Sequence, residues 1–274
     1  MKNYPLVSVI IPTKNEEHNI LRCLKSVKRQ NYEGKIEILL VDNHSSDKTV
    51  EVAKPYVSKV FIQGLERSSQ RNIGAKKAKG KWLLFLDADM ELSETVVKEC
   101  VELSNNRLVD PIIAITEKGV GHTFWGKALA LERVAYAYTF WLQAARFFPR
   151  KYFLKYGGYD EALIAGEDWD ITERLRGEGL PNLYTKRSLI THHESDMPLL
   201  KLLEKEMFYI KHIDKYAQKH PLAFSYQGSL LYRMFLWTRH WSELIRHPIL
   251  TIGFFWYKFI VWIMWQRGRR KLKA

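Results

Sequence analysis

The chain has 274 residues, which is enough for one large domain or for a catalytic domain with an appendage. A composition of 46% hydrophobic and 27% charged residues excludes disordered, collagen-like and repeat architectures. The two cysteines, Cys23 and Cys100, lie in apolar helical patterns, which argues against a disulfide framework or a zinc site and is consistent with a reducing compartment.

The formal net charge is +13, from 43 Lys and Arg against 30 Asp and Glu, which favours a polyanionic partner. We find no helix-turn-helix, zinc-finger or ribonucleoprotein motif, and the basic residues concentrate beside apolar aromatic stretches. A membrane surface is therefore favoured over nucleic acid. We expect no signal peptide, because residues 1–6 lack its pattern.

The N-terminal part of the chain begins with a strand, a loop and a helix. Residues 6–11 (LVSVII) predict a buried strand that stops at Pro12. Thr13 and Glu16 have the spacing of a capping box, which predicts a helix over 16–30 with one face packed on a sheet.

Strands and helices continue to alternate after this unit. The further predicted strands are 36–41, 60–62 and 82–86. Two helices are predicted between them. The first carries Val50, Ala53 and Val57 and is capped by Ser46 or Asp47, and the second covers 68–79. Such βαβ units form a mostly parallel sheet with helices on both faces. Ligands bind such sheets beyond the carboxyl ends of the strands.

Aspartates follow two of the predicted strands. Asp42 is a candidate for contacting a nucleotide base, with the loop 12–16 beside it. Asp87 and Asp89 offer hard oxygen ligands for Mg²⁺ or Mn²⁺, which would bridge the two phosphates of a nucleotide sugar. Arg71, on the preceding helix, would reach phosphate or sugar. The alternative is that Asp-x-Asp is an ordinary turn.

A second acidic segment follows Gly166. Asp168 is our candidate for the base that deprotonates an acceptor hydroxyl as it attacks the anomeric carbon. The ordinary alternative is that acidic residues stabilise the first turn of a helix through its dipole. Asp170 lies two positions further along and is predicted to have a structural or orienting role.

Two adjacent histidines end the apolar segment 189–191. One of them is a candidate metal ligand, with His193 ahead of His192. The alternative is a histidine that only makes ordinary hydrogen bonds.

Taken in order, these motifs resemble those of the family 2 glycosyltransferases with the GT-A fold, over about residues 6–195. The matching segments are Val7–Glu16, Val41–Thr49, Arg71–Gly74, Asp87–Asp89 and Gly166–Asp168. The resemblance implies a nucleotide-diphosphate sugar donor, a divalent metal and inversion at the anomeric carbon. It also implies Asp42 at the nucleobase, Asp87 and Asp89 at the metal, and Asp168 as the base.

We therefore expect one site with three groups of residues. The donor-binding residues are Pro12, Thr13, Asn15, Glu16, Asp42, Arg71, Asp87, Ala88 and Asp89; the acceptor-side residues are Glu167 and Trp169; the metal ligands are Asp87, Asp89 and His193, with Asp168 as the catalytic base.

One departure from the family narrows the reaction. Processive members carry a Gln-x-x-Arg-Trp signature and several transmembrane helices, whereas this chain has Thr-Glu-Arg-Leu-Arg at 172–176 and at most one or two spans. Transfer of a single sugar is favoured. The family pattern leaves the sugar open.

The α/β pattern stops near residue 197, so we predict a catalytic domain over 1–197 and a helical, aromatic and basic membrane-associating region over 198–274. Helical segments around 198–218 and 225–245 lead to 249–265, which contains Lys258 as its only charge. A helix of that length reaches about 25 Å, marginal for a membrane span, and lying in the interface fits as well. The basic residues after it are Arg267, Arg269, Arg270, Lys271 and Lys273. They would hold the C-terminus at a cytoplasmic membrane surface.

Composition also bears on the acceptor. The aromatic segment 124–148, which includes Tyr138 and Phe140, fits either a core helix or an acceptor-side amphipathic helix. A lipid-linked acceptor, either a polyprenyl-linked saccharide or polyprenyl phosphate, is favoured over a soluble one. A different class of function is a non-catalytic nucleotide-sugar-binding subunit of a glycan-assembly complex. Self-association into a homo-oligomer is left open.

Overall fold

The computed structural model describes residues 4–136, 139, 141–193 and 196–272; for 134, 135, 243 and 268–272 it describes the backbone alone. Of the residues singled out above, Tyr138, Phe140 and Lys273 lie outside the described residues. The side chains of Arg269, Arg270 and Lys271 do so as well.

The chain forms two compact units. The sheet unit comprises Met1–Thr116, Ala144–Glu161 and Glu167–His192; the helical unit comprises Glu117–Gln143, Ala162–Gly166 and His193–Ala274. Besides the region after residue 197, the helical unit therefore takes in two earlier segments of the chain.

The sheet contains eight strands. They are β1 (Val7–Thr13), β2 (Ile36–Asp42), β3 (Lys59–Ile62), β4 (Trp82–Phe85), β5 (Met90–Leu92), β6 (Ile112–Val120), β7 (Phe147–Pro149) and β8 (Asn182–His193). Their order is β3-β2-β1-β4-β7-β6-β8-β5. The first four strands in that order are parallel, as predicted, whereas β7 pairs antiparallel with both β4 and β6, and β5 with β8.

Six helices of the sheet unit surround this sheet. They are α1 (Ile20–Lys28), α2 (Thr49–Ala53), α3 (Arg67–Lys77), α4 (Val96–Ser104), α6 (Arg150–Lys155) and α7 (Glu167–Gly177). Successive side chains of β1 point to opposite faces of the sheet, so they pack against different helices. Val9 and Ile11 belong to the core shared with α1 and α4, and Ile10 belongs to the core shared with α3, α6 and α7. The prediction of helices on both faces is confirmed.

The predicted capping box is wrong. Helix α1 begins at Ile20 without a side-chain cap, and Thr13 is the last residue of β1. The Thr13 hydroxyl bonds to Asp42 of the neighbouring strand instead. At α2, Asp47 accepts a hydrogen bond from the Thr49 backbone N–H at 3.0 Å, so this predicted capping residue does contact the start of the helix.

The helical unit contains the remaining helices of the described chain. They are α5 (Phe124–Tyr136), α8 (Leu199–His212), α9 (Asp214–Lys219), α10 (Pro221–Gln227), α11 (Leu230–Thr238), α12 (Trp241–Arg246) and α13 (Pro248–Leu272). Ala128 of α5, Trp237 of α11 and Phe254 of α13 form the buried centre of this unit. Within α13, the stretch Pro248–Arg267 is long and apolar enough to cross a membrane.

Candidate active site

Three parallel strands end at one edge of the sheet and bring the predicted polar residues together. Thr13 pairs with Asp42 at the ends of β1 and β2, and β4 on the other side of β1 leads into Asp87, Ala88 and Asp89. The carboxyl ends of parallel strands meet at the same edge, where open α/β sheets bind ligands. The predicted placement of the aspartates at this edge is confirmed.

Asp42 is buried and accepts hydrogen bonds from two residues. Its Oδ1 accepts from the Thr13 hydroxyl at 2.8 Å and the Ser45 hydroxyl at 2.6 Å, and its Oδ2 accepts from the Ser45 backbone N–H at 2.7 Å. A carboxylate has about four acceptor positions. Asp42 therefore fixes the loop after β2 and keeps about one position for a further donor such as a base N–H.

The loops after β1 and β2 are bonded to each other. Asn15 has a positive φ of 56°, its backbone N–H donates to the Ser45 hydroxyl at 2.8 Å, and its Oδ1 accepts from the Ser46 N–H at 2.8 Å. The Glu16 backbone N–H donates to the Thr49 hydroxyl at 2.7 Å. Burial, with Asp89 and Asp87 nearby, raises the pKa of Glu16. The two loops thus form one rigid wall of the site.

The side chain of Gln70 on α3 is hydrogen-bonded to the ends of the two strands that carry this wall. Its buried amide nitrogen donates to the carbonyl oxygens of Thr13 at 2.9 Å and Val41 at 2.6 Å. Both are backbone groups at strand ends, and the Thr13 carbonyl also accepts from the Asn43 backbone N–H at 2.9 Å, so Gln70 ties the ends of β1 and β2 together. Gln70 was not predicted from the sequence, because a glutamine inside a polar helix carries no motif that distinguishes it.

Arg71 lies at the centre of the site with its side chain fully buried. Its Nη2 donates to Asp87 Oδ1 at 2.7 Å, and its Nη1 donates to Asp168 Oδ1 at 2.9 Å and lies 3.5 Å from Glu167 Oε1. Its guanidinium also lies 5.1 Å from the ring centroid of Tyr159. One cation therefore joins the Asp-x-Asp loop to the start of α7.

The charges around Arg71 oppose desolvation. Burial alone would raise the pKa of Asp87, but the guanidinium groups of Arg71 and Arg146 outweigh it and hold that pKa well below its usual range. For Glu167 the balance is reversed, since burial and the neighbouring Asp168 raise its pKa despite Arg71. Asp87 is therefore held as a carboxylate, whereas its surroundings favour the protonated form of Glu167.

Asp89 has one carboxylate oxygen that no described residue engages, which leaves it free to accept a ligand. Its Oδ1 is buried with no hydrogen-bond partner among the described residues, whereas its Oδ2 lies 3.1 Å from His192 Nε2. The described part of the chain holds no group of three or more His, Cys, Asp or Glu side chains placed to bind a metal alone. Mg²⁺ sites that use one or two carboxylates and complete their shell with substrate phosphates and water fit this arrangement.

The histidine beside Asp89 is His192, the second of the two candidates predicted from the sequence. His193 is the last residue of β8 and, by the alternation of a strand, points to the opposite face from its neighbour. A metal role for either histidine stays a prediction, and the contact with Asp89 is made by His192, which the sequence ranked behind His193.

The first turn of α7 carries the remaining predicted residues. Asp168 is 30% exposed, and one of its two carboxylate oxygens is engaged by Arg71. Glu167 is buried against Arg71 and Arg67, and Trp169 is half-buried. Their acceptor-side assignment stays a prediction.

Asp170 has the structural role that its position predicts. It is fully buried and accepts from Arg174 Nε at 2.8 Å. Arg174 in turn donates to the carbonyl oxygens of Tyr156 at 2.6 Å and Gly158 at 2.5 Å. This network ties α7 to the turn that precedes Tyr159.

Asn72 supports Arg71 from the neighbouring position on α3. Its side chain donates to Tyr159 O at 2.9 Å and accepts from Tyr159 N at 2.9 Å, so it holds the backbone on both sides of that residue. Tyr159 packs its ring near Arg71. Arg71 and Asn72 were part of the sequence motif, but the contact of Asn72 with Tyr159, 87 residues away, could not be predicted from a local pattern.

The same arrangement of sheet and helices occurs in solved glycosyltransferases. The mannosyltransferase PcManGT from Pyrobaculum calidifontis, in complex with GDP-Man and Mn²⁺, superposes with a TM-score of 0.60 at 15% identity, covering 97% of this chain and 85% of that one. At this identity the likeness concerns the fold, which is the GT-A type that the motifs predicted.

Sequence relatives extend the class to a family. The chain belongs to glycosyl transferase family 2, whose sequence model matches residues 8–159. A glycosyltransferase of Mycobacterium tuberculosis named for PGL/p-HBAD biosynthesis is 31% identical over 181 residues, 62% of this chain and 69% of that protein. Glycosyltransferase AglE of Haloferax volcanii is 41% identical over 93 residues, and that match spans 31% of each protein.

Proposed function

We propose that the chain transfers a single sugar from a nucleotide-diphosphate sugar to an acceptor hydroxyl, with inversion at the anomeric carbon. The observation that carries this proposal is the bridge made by Arg71 between Asp87 and Asp168. It joins the loop proposed to hold the diphosphate to the carboxylate proposed as the base, in a single cluster of a family 2 glycosyltransferase.

The donor would lie along the wall formed by the loops after β1 and β2. Asp42 and the Pro12–Glu16 loop would contact the base, and Asp42 has about one acceptor position left for it. Ala88 is nearly fully buried, so the Asp87–Asp89 loop would approach the diphosphate through its acidic side chains.

Mg²⁺ or Mn²⁺ would be held by Asp89, with Asp87 and His192 or His193 as further candidates. When bound, such an ion neutralises charge that develops on the leaving diphosphate. The buried Asp89 Oδ1 without a partner supports this assignment. Asp87 already shares its oxygens with Arg71 and Arg146, so it would contribute more as an anchor of the loop than as a strong ligand.

Asp168 would act as the base. The acceptor oxygen forms a bond to the anomeric carbon while the bond from that carbon to the diphosphate oxygen breaks, and the hydroxyl proton passes to the Asp168 carboxylate. Arg71 fixes one Asp168 oxygen, and the other oxygen would face the acceptor. One displacement gives inversion.

The acceptor would be lipid-linked, a polyprenyl-linked saccharide or polyprenyl phosphate in glycan assembly at the cytoplasmic face of the cell membrane. The support is the net charge of +13 and the apolar stretch Pro248–Arg267. A soluble acceptor is the alternative that the experiment below separates.

A second candidate is a non-catalytic nucleotide-sugar-binding subunit of a glycan-assembly complex. A binding module needs the loops around Asp42 and Asp89 but has no need of a base. The ordered Asp168 at the start of α7 therefore favours the enzyme.

The test is a thermal-shift and diphosphate-release screen of the purified chain against UDP- and GDP-linked sugars, with and without Mn²⁺ and with and without a membrane extract. We expect one donor to stabilise the protein only with metal, and slow donor hydrolysis that the extract accelerates. Asp168→Asn should keep the stabilisation and lose the release. Stabilisation without release under every condition would establish the binding module; release driven equally by a soluble extract would overturn the lipid acceptor.

A further inference from the structure

Helix α13 presents two different faces within the helical unit. The exposed face is a row of large apolar residues spaced three or four apart: Ile249, Ile252, Trp256, Phe259 and Trp262, of which Ile252 is 71% and Trp256 58% exposed. The opposite face, which includes Gly253, Phe254 and Tyr257, is buried. A spacing of three to four residues keeps each set on one side of the helix.

The buried face is fixed to the helical unit by polar as well as apolar contacts. Lys258 Nζ lies 2.6 Å from Glu132 Oε2 of α5, and Arg233 of α11 lies 3.6 Å from the other oxygen of Glu132. The Tyr257 hydroxyl donates to Glu206 of α8 at 2.9 Å.

These contacts bear on how α13 meets a bilayer. Lys258 is near the middle of the stretch that is long enough to cross a membrane, and its side chain is only 13% exposed beside Glu132. If α13 crossed the bilayer alone, the ion pair between Lys258 and Glu132 would be broken. The lysine would then face hydrocarbon, which strongly disfavours a charged group. The contacts therefore favour a helix that keeps one face on the protein.

The two helices that precede α13 also expose apolar side chains. Trp237 of α11 packs with ring centroids 4.9 Å from Phe254 and 5.4 Å from Phe255, so α11 lies beside α13. The exposed apolar side chains of α11 and α12 are Leu231, Met234, Phe235, Trp241 and Ile245. An exposed apolar area this extensive marks an interaction surface.

The charge around this surface identifies its partner. Residues 221–274 contain nine Lys and Arg side chains, of which Lys258 and Arg233 pair with Glu132, and one acidic residue, Glu243. Arg239, at the end of α11, and Arg267, which follows the apolar row of α13, are exposed. Tryptophan among apolar residues with flanking basic side chains is the composition of helices that lie at the surface of anionic membranes.

We propose that α11, α12 and α13 form a monotopic membrane-binding surface on which α13 lies in the plane of an anionic bilayer instead of crossing it. The row from Ile249 to Trp262 enters the boundary between headgroups and acyl chains, and the basic residues contact anionic headgroups. This specifies the membrane contact of the proposed function, yet it depends on no donor, metal or acceptor.

The first test is flotation of the purified full chain with vesicles of phosphatidylcholine, alone or mixed with phosphatidylglycerol, and no sugar nucleotide. We expect binding to the mixed vesicles that weakens as salt is raised. The variant Ile252→Ser/Trp256→Ser/Phe259→Ser should lower the partition coefficient on the order of 100-fold. The matched control Leu65→Ser/Leu108→Ser, which changes exposed apolar residues of the sheet unit, should bind as the wild type does.

The second test separates a helix in the plane from a span. Single cysteines at positions 249, 256 and 262 carry a fluorophore, and lipids brominated at different depths quench it; native Cys23 and Cys100 are buried and leave labelling selective. We expect one similar, shallow depth at all three positions. A deepest label at 256, with 249 and 262 reporting opposite leaflets, would overturn the in-plane arrangement.

A protein partner predicts different results. If vesicles do not bind the chain, and a concentration-dependent dimer is lost in the triple serine variant, the surface is an interface between copies and the lipid proposal is wrong. If the wild-type chain binds vesicles but releases no diphosphate from any donor, the proposed function is wrong and the membrane-binding surface is not. The two proposals can therefore fail separately.

Discussion

Arg71 and Asp168 are 97 residues apart in the chain and form a partly buried, hydrogen-bonded ion pair of 2.9 Å. The second terminal nitrogen of the same guanidinium holds Asp87 at 2.7 Å. Because the guanidinium is planar and presents its donors in a fixed fork, it sets the separation of the two carboxylates as well as neutralising them. A point charge could do only the second of these.

Replacing Arg71 by lysine tests the geometric role. Arg71→Lys keeps the charge but cannot reach both carboxylates, and displacement of a catalytic group by about 1 Å can cost on the order of 100-fold in rate. We expect kcat for donor hydrolysis to fall by about that factor with the donor KM little changed. Arg71→Met should instead destabilise the fold by about 3–5 kcal/mol, because it removes the buried cation that Asp87, Glu167 and Asp168 share.

Arg67→Lys is the matched control, since Arg67 also approaches Glu167 but is 49% exposed and lies 3.7 Å away. It should unfold in urea at nearly the wild-type midpoint and keep its kcat. Wild-type turnover in Arg71→Lys would show that charge alone is required at this position.

Glu167 predicts a pH dependence of stability. Its pKa in the fold is raised by burial and by Asp168, so the folded state favours its protonated form. The contribution of this group is fully present below the pKa of the unfolded chain and is lost as pH rises through the folded pKa. Glu167→Gln stays neutral, so the difference in free energy of unfolding should move in favour of the variant as pH rises from about 4 to about 8.

Urea titrations at each pH measure this difference, with Glu102→Gln as the control because that carboxylate on α4 is 46% exposed. A constant difference between Glu167→Gln and wild type across the range would mean that Glu167 is ionised to the same extent in both states.

The parallel half of the sheet was predictable from the sequence, and the antiparallel half was not. Strands β1 to β4 alternate with helices, so each is marked by a local change of period from 2 to 3.6. β5 and β7 have three residues each and exist through pairing with distant segments, as Phe147 with Leu84 and Met90 with His192. Local patterns carry little information about such pairings.

The site divides in the same way. The positions of Asp42, Asp87 and Asp89 follow from strand ends, and the structural role of Asp170 followed from helical spacing. The contacts of Arg71 with Asp168 and of Asn72 with Tyr159 cross 97 and 87 residues, and no spacing rule predicts them. The exposed apolar face of α13 could have been predicted from the sequence, because Ile249, Ile252 and Trp256 repeat at helical period.

The geometry at Asp89 predicts which histidine affects metal-dependent binding. Asp89→Asn removes a charged oxygen ligand and should abolish the Mn²⁺-dependent part of donor affinity. His192→Ala removes the hydrogen bond that orients Asp89, and loss of such an orienting partner costs about 10–100-fold in metal affinity. His193→Ala is the matched control one residue along the same strand, with the smaller effect.

Isothermal titration with Mn²⁺ and donor, apart from turnover, measures these affinities. If His193→Ala lowers Mn²⁺ affinity more than His192→Ala does, the metal ligand is the histidine favoured by the sequence, and the bond between His192 and Asp89 has no part in metal binding.

Two neighbouring glycines test the support behind Arg71. Gly157 and Gly158 both have positive φ, 84° and 67°, so alanine at either position costs roughly 1–2 kcal/mol in backbone strain. A Cβ at Gly157 would meet nothing within 4 Å, whereas one at Gly158 would lie 2.4 Å from Asn72 Oδ1. Asn72 holds the backbone of Tyr159, whose ring lies beside Arg71.

Gly158→Ala should therefore destabilise the chain by about 1–3 kcal/mol more than Gly157→Ala, through overpacking at Asn72. It should also lower kcat, because the displacement passes from Asn72 through Tyr159 to the guanidinium between Asp87 and Asp168. Urea unfolding and donor hydrolysis of the two variants, measured side by side, give both quantities. Equal stability loss would show that the Asn72 side chain yields without cost, and equal kcat would show that Arg71 keeps its position without the Asn72–Tyr159 contact.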